Sequence, residues 1–531
     1  MPSHEASPLE VEQVQRLTTL IEESARATQT GVARFVEPAQ GTLQRAVSKR
    51  HHIVFGRRGS GKTSLLRKAA AELTIDRRPI AFVDLEPFKG HTYPDVVLSV
   101  LITTFGAFRQ WLRDAGRAPA NKTSFWKRFF GRKPNRPPLE KAGTDRLIAE
   151  LDSQIGQLSE LLHAADRAQL KKTTRIEDQS EQSSSLSGGA KAKYLEFTSS
   201  GSQSTKSGEA SEVTEEFKRS KVDFLLRHII DYQRLFRELG ELSDGDSYLF
   251  LDDLYHINRR DQPDLIDYFH RIAKNNRLWI KIGTIRHRTV WYRHADPPIG
   301  MKLGDEADDI DLDLTLEKYA LTKGFLFKVL EAFAEESGVE LDSILAEGSR
   351  DRLVLASGGV ARDFLTIFRR SIDVARERAS GHPRGPKIGA EDVNRASGEH
   401  DQAKRDELRR DTDEERDRIE RALADIVSFC TEKALSNCFL VERDRHEEYI
   451  QLIAELVDMR LIHLVRSRIS VGHRKGQTFV AYMLDLSQYT GDRKRRDLTM
   501  IPFWAPDGED QLRLPRFIYD PGSGETVQRQ A

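Results

Sequence analysis

The chain has 531 residues, and lysine plus arginine equals aspartate plus glutamate at 83 each. That length suits three or four domains, each able to bury a core, and the charge balance excludes a globally basic surface, so any nucleic-acid contact must be a local patch. Cys430 and Cys438 are the only cysteines, which excludes a disulfide framework and a cysteine metal cluster and fits a reducing compartment.

Met1 to Pro8 holds no basic region followed by an apolar core, and no stretch approaches ~18 consecutive apolar residues. A soluble, cytoplasmic protein without a membrane span is expected. Val14, Leu17, Leu20 and Ile21 keep helical spacing and predict an N-terminal helical arm over residues 1–31. After a short helix from Leu43 to Val47, His52-Ile53-Val54-Phe55 is an apolar run fit for a buried parallel strand. It feeds Gly56-Arg57-Arg58-Gly59-Ser60-Gly61-Lys62-Thr63-Ser64, in which four residues separate two glycines before Lys and Thr. The glycines let backbone N–H groups turn inward around phosphates, Lys62 reaches the β and γ oxygens, and Thr63 sits on Mg²⁺. Ser64 to Ala71 is helix-forming, so a helix N-terminus faces the same point. Strand, glycine loop and helix together predict an ATP or GTP site.

Pro79 to Leu85 is the next strand, and Pro94 to Phe108 the next helix, an alternation that predicts a doubly wound α/β sheet. Lys122 to Lys133 then mixes cations with Phe125, Trp126, Phe129 and Phe130, suited either to gripping single-stranded nucleic acid or a membrane surface, or to packing on the domain. Ile148, Leu151, Ile155, Leu158, Leu162 and Ala165 follow the steps of a coiled-coil seam, and Val222, Leu225, Ile229, Leu235 and Leu239 form a second apolar helix. A helical hairpin inserted at 115–240 is expected, with a possible protein partner on it. Ser183 to Gly208, nearly free of apolar residues, reads as a flexible linker. Ser247 to Leu251 is a strand ending in Asp252 and Asp253, paired acids that Mg-nucleotide chemistry requires. Asp252 is assigned to the metal, with Thr63, and Asp253 to the base that activates water.

Leu278 to Thr284 is a further strand, Ile310 to Leu314 a fifth, and Ser357-Gly358-Gly359-Val360-Ala361-Arg362 opens a helix running to Ala375. The phosphate loop, the Asp-Asp strand, Thr284-Ile285-Arg286 and the Gly-Gly-X-Ala-Arg helix resemble the origin-recognition and cell-division-control initiator ATPases of the AAA+ class, and their relatives the STAND signalling ATPases. The resemblance spans about Arg34 to Ala396 without the Lys122 to Lys221 region. It implies ATP and Mg²⁺ as ligands, Thr284 or Arg286 as the first sensor of the γ-phosphate and Arg362 as the second. It also implies a homo-oligomer in the ATP state, with Arg259, Arg260 or Arg288 as candidates for a trans arginine finger. Asp253 stands where AAA+ members usually carry Glu, which implies slow turnover.

Asp401 to Arg418 mixes both charges and reads as a solvated helix between domains. Beyond it two helical patterns and the strands Leu461 to Val465 and Thr478 to Leu484 predict a winged helix. Its inter-strand loop offers Arg466, Arg468, His473, Arg474 and Lys475 to duplex phosphates. The expected layout is an AAA+-like core over 32–317, a helical lid over 318–400, a charged linker over 401–416, a winged helix over 417–490 and an unassigned tail over 491–531. Two functions follow from it: a slowly hydrolysing ATPase switch that binds DNA, or a STAND-like signalling or defence ATPase that oligomerises and controls a protein partner.

Overall fold

The computed structural model describes residues 8–24, 34–75, 78–116, 139–164, 202–378, 385–408, 413–444, 447–472, 474, 476–490, 498–505 and 508–521, with side chains left out at 75, 202–216, 402–408, 413–416 and 447. The basic aromatic segment 122–133, linker residues 183–201, His473 and Lys475 lie outside that set.

Helix α1 (Glu12–Glu23) buries Val14, Leu17 and Ile21, the stripe its spacing predicts. Helix α2 (Thr42–Val47), strand β1 (His51–Phe55), helix α3 (Lys62–Ile75) and strand β2 (Ile80–Asp84) follow. Helix α4 (Asp95–Gly116) leads into α5 (Lys141–Leu162) and α6 (Ser202–Leu242), and then come β3 (Ser247–Asp252), α7 (Gln262–Ala273) and β4 (Leu278–Thr284). A two-stranded ribbon, β5 (Tyr292–Arg293) with β6 (Ile299–Gly300), precedes β7 (Ala307–Asp311).

The main sheet has the order β2-β3-β4-β1-β7 with every pairing parallel. Parallel strands covered on both faces need continuous apolar sequence, and β1 and β3 are buried at every position. Register sets Phe55 beside Thr284 and Asp84 beside Asp252, so the residues after β1, β3 and β4 emerge side by side at one sheet edge. The fifth strand begins three residues earlier than the Ile310 to Leu314 run suggests. Pairing stops at Asp311, because Asp313 leaves the sheet to receive the Arg57 backbone N–H at 2.8 Å.

The described helices of the insertion pack on the core of the main domain. Leu147, Leu151 and Leu158 of α5 share one core with Phe105, Phe108 and Leu112 of α4 and with Tyr232, Phe236 and Leu239 of α6. Ile148 and Ile155 of the expected seam are only partly buried. Among the described residues, the seam packs against helices of this chain. Helix α6 also starts at Ser202, inside the stretch expected to be linker.

Helices α8 (Tyr319–Ser337), α9 (Leu341–Ile344), α10 (Glu347–Ser357), α11 (Ala361–Glu377) and α12 (Ala390–Leu408) follow. Helix α13 (Asp413–Ser428) runs into a π turn at 429–433, then β8 (Cys438–Glu442), α14 (Glu447–Asp458), β9 (Ile462–Ile469) and β10 (Phe479–Leu484). The last three strands form an antiparallel sheet of order β8-β10-β9, and β8 has no counterpart in the sequence reading. One apolar cluster runs from Leu9 and α1 through α8, α10 and α11 to β8, β9 and β10, and on to Ile501, Phe503 and Tyr519. Two expectations change accordingly. Asp401 is buried, accepting from Ser487 Oγ at 3.2 Å and Gln488 Nε2 at 2.8 Å, so the helix there is not solvated at that point. The tail is anchored by the Tyr519 N–H donating to the Leu440 carbonyl at 2.9 Å.

Candidate nucleotide site

The loop after β1 is shaped by glycine. Gly59 and Gly61 hold φ of +82° and +97°, a region costly for residues with a Cβ. A Cβ on Gly56 would come within 2.3 Å of Ser60 Oγ. That Oγ is buried with no hydrogen-bond partner, an orphaned polar atom inside a glycine-shaped loop. Lys62 begins α3 and turns its Nζ back to the carbonyls of Gly56 (2.8 Å) and Arg57 (3.2 Å). Burial lowers its proton affinity, opposed by Asp253 and Asp252.

The paired acids lie across from it. Asp252 is pushed up to about 7, first by burial and then by the charge of Asp253, while a hydrogen bond with Thr63 pulls the other way. Asp253 is also raised, again mainly by burial. Its backbone takes φ +57°, ψ +44°, and its N–H donates to Asp252 Oδ1 at 3.0 Å. A non-glycine residue held in this left-handed region costs about 1–2 kcal/mol, and such strain persists where the surroundings over-determine it. Gly283 on β4 makes room for the pair, since a Cβ there would meet Asp252 Oδ1 at 2.6 Å. Crowded, buried carboxylates next to a hydroxyl and a lysine suit a divalent cation, whose charge would offset the cost of ionising them away from water.

The structure brings Thr284 to this edge: its carbonyl accepts from the Gly56 N–H at 3.2 Å, and its hydroxyl pairs with Thr289 Oγ1 at 2.5 Å. Arg286 points elsewhere. It is stacked on Phe55 at 3.9 Å and paired with Asp309 at 2.7 Å and Asp311 at 3.5 Å, so β7 competes for the fork expected to sense phosphate. Arg362 is at the loop, with its N–H donating to the Gly59 carbonyl at 3.3 Å and its charge among those lowering Lys62. A Cβ on Gly59 would lie 2.7 Å from Arg362 Cβ, so helix α11 rests directly on the loop.

Several contributors carry no local motif. Buried Arg57 holds Asp313, the Leu314 carbonyl and the Gly358 carbonyl. Asp458, the last residue of α14, is buried with Oδ2 unpartnered and is pushed up to about 7 by burial and by Asp313, against Arg57, Arg288 and Lys62. Two residues on, Arg460 pairs with buried Asp363 on α11 at 2.7 Å. An acid at a helix C-terminus opposes the helix dipole, and that oddity is the signal by which Asp458 could have been found.

The expected wing cations separate. Arg466 and Arg468 lie within β9 rather than in the loop after it. Arg466 is paired with Glu509 at 3.0 Å and donates to the Glu317 carbonyl at 3.3 Å, whereas Arg468 and Arg474 are exposed. Among the trans-finger candidates, Arg259 donates to the His287 carbonyl and Arg260 faces Asp261 at 3.8 Å.

No protein-family model matches the chain, and no curated protein matches it. Among solved structures, the Aeropyrum pernix ORC1 protein in complex with DNA is similar at 14% identity, over 91% of this chain and 92% of that one, with a TM-score of 0.32. So loose a superposition transfers no role, and the site stands on its own geometry. No described helix is long and apolar enough to cross a membrane.

Proposed function

We propose that the protein is a Mg-dependent ATPase that works as a slowly turning molecular switch. The observation that carries this reading is the convergence of Lys62, Thr63, Asp252 and Asp253 at the ends of β1 and β3, the two strands that flank β4, beside the unpartnered Ser60 hydroxyl. The loop N–H groups and Lys62 bind the phosphates, Arg362 meets them from α11, and Thr63 with Asp252 would hold Mg²⁺. Held there, the ion would supply charge neutralisation to the phosphate oxygens. Asp253 accepts the proton of the attacking water, and Thr284, fixed by Thr289, orients that water.

The output runs through the C-terminal unit, a helix–strand–helix–strand–strand arrangement that we assign as a winged helix. Duplex contact would fall on Arg468, Arg474 and Lys475, with Arg466 engaged by Glu509. A second reading of the output, control of self-assembly or a protein partner without DNA, is supported by the seat of Asp458 and Arg460 at the loop and lid helix. Charges placed there respond to phosphate charge whether or not DNA is present.

Lys62→Ala tests the reading. Mg-ATP at about a hundredfold its Kd stabilises a binding protein by about 2.7 kcal/mol, a thermal shift the variant should lose. A variant stabilised as much as the parent refutes the site.

A further inference from the structure

Phosphoryl transfer needs a cation where charge spreads over the transferred group as the leaving oxygen departs. Two arginines near the loop are turned to other work: Arg57 is held by Asp313 and by the Leu314 and Gly358 carbonyls, and Arg286 by Asp309, Asp311 and the Phe55 ring. Arg58 lies against an aromatic ring beside Lys62. Its guanidinium carbon stands 5.4 Å from the centroid of the Tyr255 ring, the same ring that has Lys62 Nζ at 5.8 Å.

Tyr255 sits one residue beyond Leu254 in a tight turn that starts at left-handed Asp253 and is closed by the His256 N–H on the Asp253 carbonyl at 3.1 Å and the Ile257 N–H on the Leu254 carbonyl at 3.0 Å. The turn therefore carries the ring over the loop on the side of the proposed base. The phenol is hydrogen-bonded with the Arg58 side chain, and the charges of Arg58 and Asp253 both act on Tyr255 and on His256. Burial raises the phenol, which stays a neutral hydroxyl at working pH. A guanidinium resting on an aromatic face and tied by a hydroxyl loses little further freedom when it meets a phosphate.

We infer that Arg58 acts in cis as the arginine that meets the γ-phosphate during hydrolysis, and that Tyr255 is the positioning residue that holds it. The inference rests on the ATPase reading above. The water oxygen bonds to the γ-phosphorus while the bond from that phosphorus to the β–γ bridging oxygen breaks, its electron pair staying on ADP. The water proton passes to Asp253 and then to solvent. Arg58 balances the negative charge spread over the transferred group, so no finger from a second copy is required.

The test uses the full chain and the Arg58→Ala, Arg58→Lys and Tyr255→Phe variants. Mg-ADP affinity, read by a fluorescent ADP, should stay within about threefold of the parent and doubles as the folding check. Arginine fingers are worth about 10³-fold or more in rate, so Arg58→Ala should lose about that much turnover. It should also lose the slow release of ADP that aluminium fluoride imposes on the parent. Arg58→Lys, with charge but no fork, and Tyr255→Phe, without the hydroxyl, should each fall about tenfold. The parent rate per chain should be constant on dilution and unchanged by added Lys62→Ala chains. Parent-like turnover and fluoride trapping in Arg58→Ala overturn the inference while the ATPase reading stands. So does a parent rate that climbs with concentration and is altered by Lys62→Ala chains, which would place the finger on a second copy. A parent that binds no Mg-ATP overturns both readings.

Discussion

Asp458 offers a direct test of whether the C-terminal unit senses charge at the loop. Its carboxyl is raised from 3.8 to about 7, with burial as the first cause and Asp313 as the second, and with Arg57, Arg288 and Lys62 opposing. A raised acid favours the neutral form in the folded chain, so it takes no stability below its unfolded value and takes progressively more as pH climbs from about 4 to about 7. Above that the loss is constant. At 1.36 kcal/mol per pH unit the full effect is about 4 kcal/mol at pH 8 and about 1.5–2 kcal/mol at pH 5. Asp458→Asn keeps the shape and removes the charge. It should therefore stabilise the protein more at pH 8 than at pH 5, by a difference of about 2–3 kcal/mol, read as denaturant midpoints of parent and variant across that range. A gain that does not change with pH, or a net loss at pH 8, would mean that Asp458 is stably paired and that the C-terminal helix is not held over the loop at an electrostatic cost.

The remaining expectations address the chemistry and the output. Asp253→Asn should bind Mg-ATP with near-parent affinity and lose turnover by about 10²–10⁴, since an amide cannot take the water's proton; equal loss of binding in calorimetry would make Asp253 a metal ligand. Because Asp252 is pushed up to about 7, Mg-ATP affinity should fall as pH drops through that value, and an affinity flat from pH 8 to pH 5.5 would remove Asp252 from the metal site. Replacing Arg468, Arg474 and Lys475 by Ala should reduce the slope of log affinity for duplex against log salt by about two to three, at about 0.9 per phosphate contact. A parent that shows no salt-dependent duplex binding in that titration would assign the output to a protein partner.

The parts of the site that the sequence made legible are local. Gly56 to Ser64 is contiguous, and Asp252-Asp253 ends an apolar strand, so spacing alone recovers them. What stayed hidden depends on contacts across hundreds of positions: the Arg57 N–H finds Asp313 256 residues away, and Arg57 reaches the Gly358 carbonyl 301 residues away. No period or motif encodes such a pair. The heptad-like seam of α5 is a packed face, but such a seam says that one helix face is buried and not by what. Here α4 and α6 supply the cover. Arg286 looked like a sensor from its place after β4, but Asp309 and Asp311, which the strand register sets beside β1, take its guanidinium instead.

The distribution of apolar and charged contacts gives the switch reading its mechanics. Helices α8, α10 and α11, helix α1 and the C-terminal sheet share one apolar cluster, while the main sheet's faces are packed by two others. Burying a large aliphatic or aromatic side chain contributes about 1.5–3 kcal/mol, so the shared cluster binds helices α8, α10 and α11 and the C-terminal sheet into one body. That body meets the loop through polar and charged groups: the Arg362 N–H on the Gly59 carbonyl, Arg57 on the Gly358 carbonyl, and Asp458 under the charges of Arg57 and Lys62. Interactions of this kind respond to added charge in proportion to its proximity, and a γ-phosphate would place negative charge beside a carboxyl already held at an electrostatic cost. The same phosphate attracts Arg362 from the lid and opposes Asp458 from the C-terminal unit, although α11 and α14 are joined through Asp363 and Arg460. On the ATPase reading proposed above, a triphosphate would pull one end of that body inward and push the other outward, and Gly59, with no Cβ beneath Arg362, lies at the point of contact.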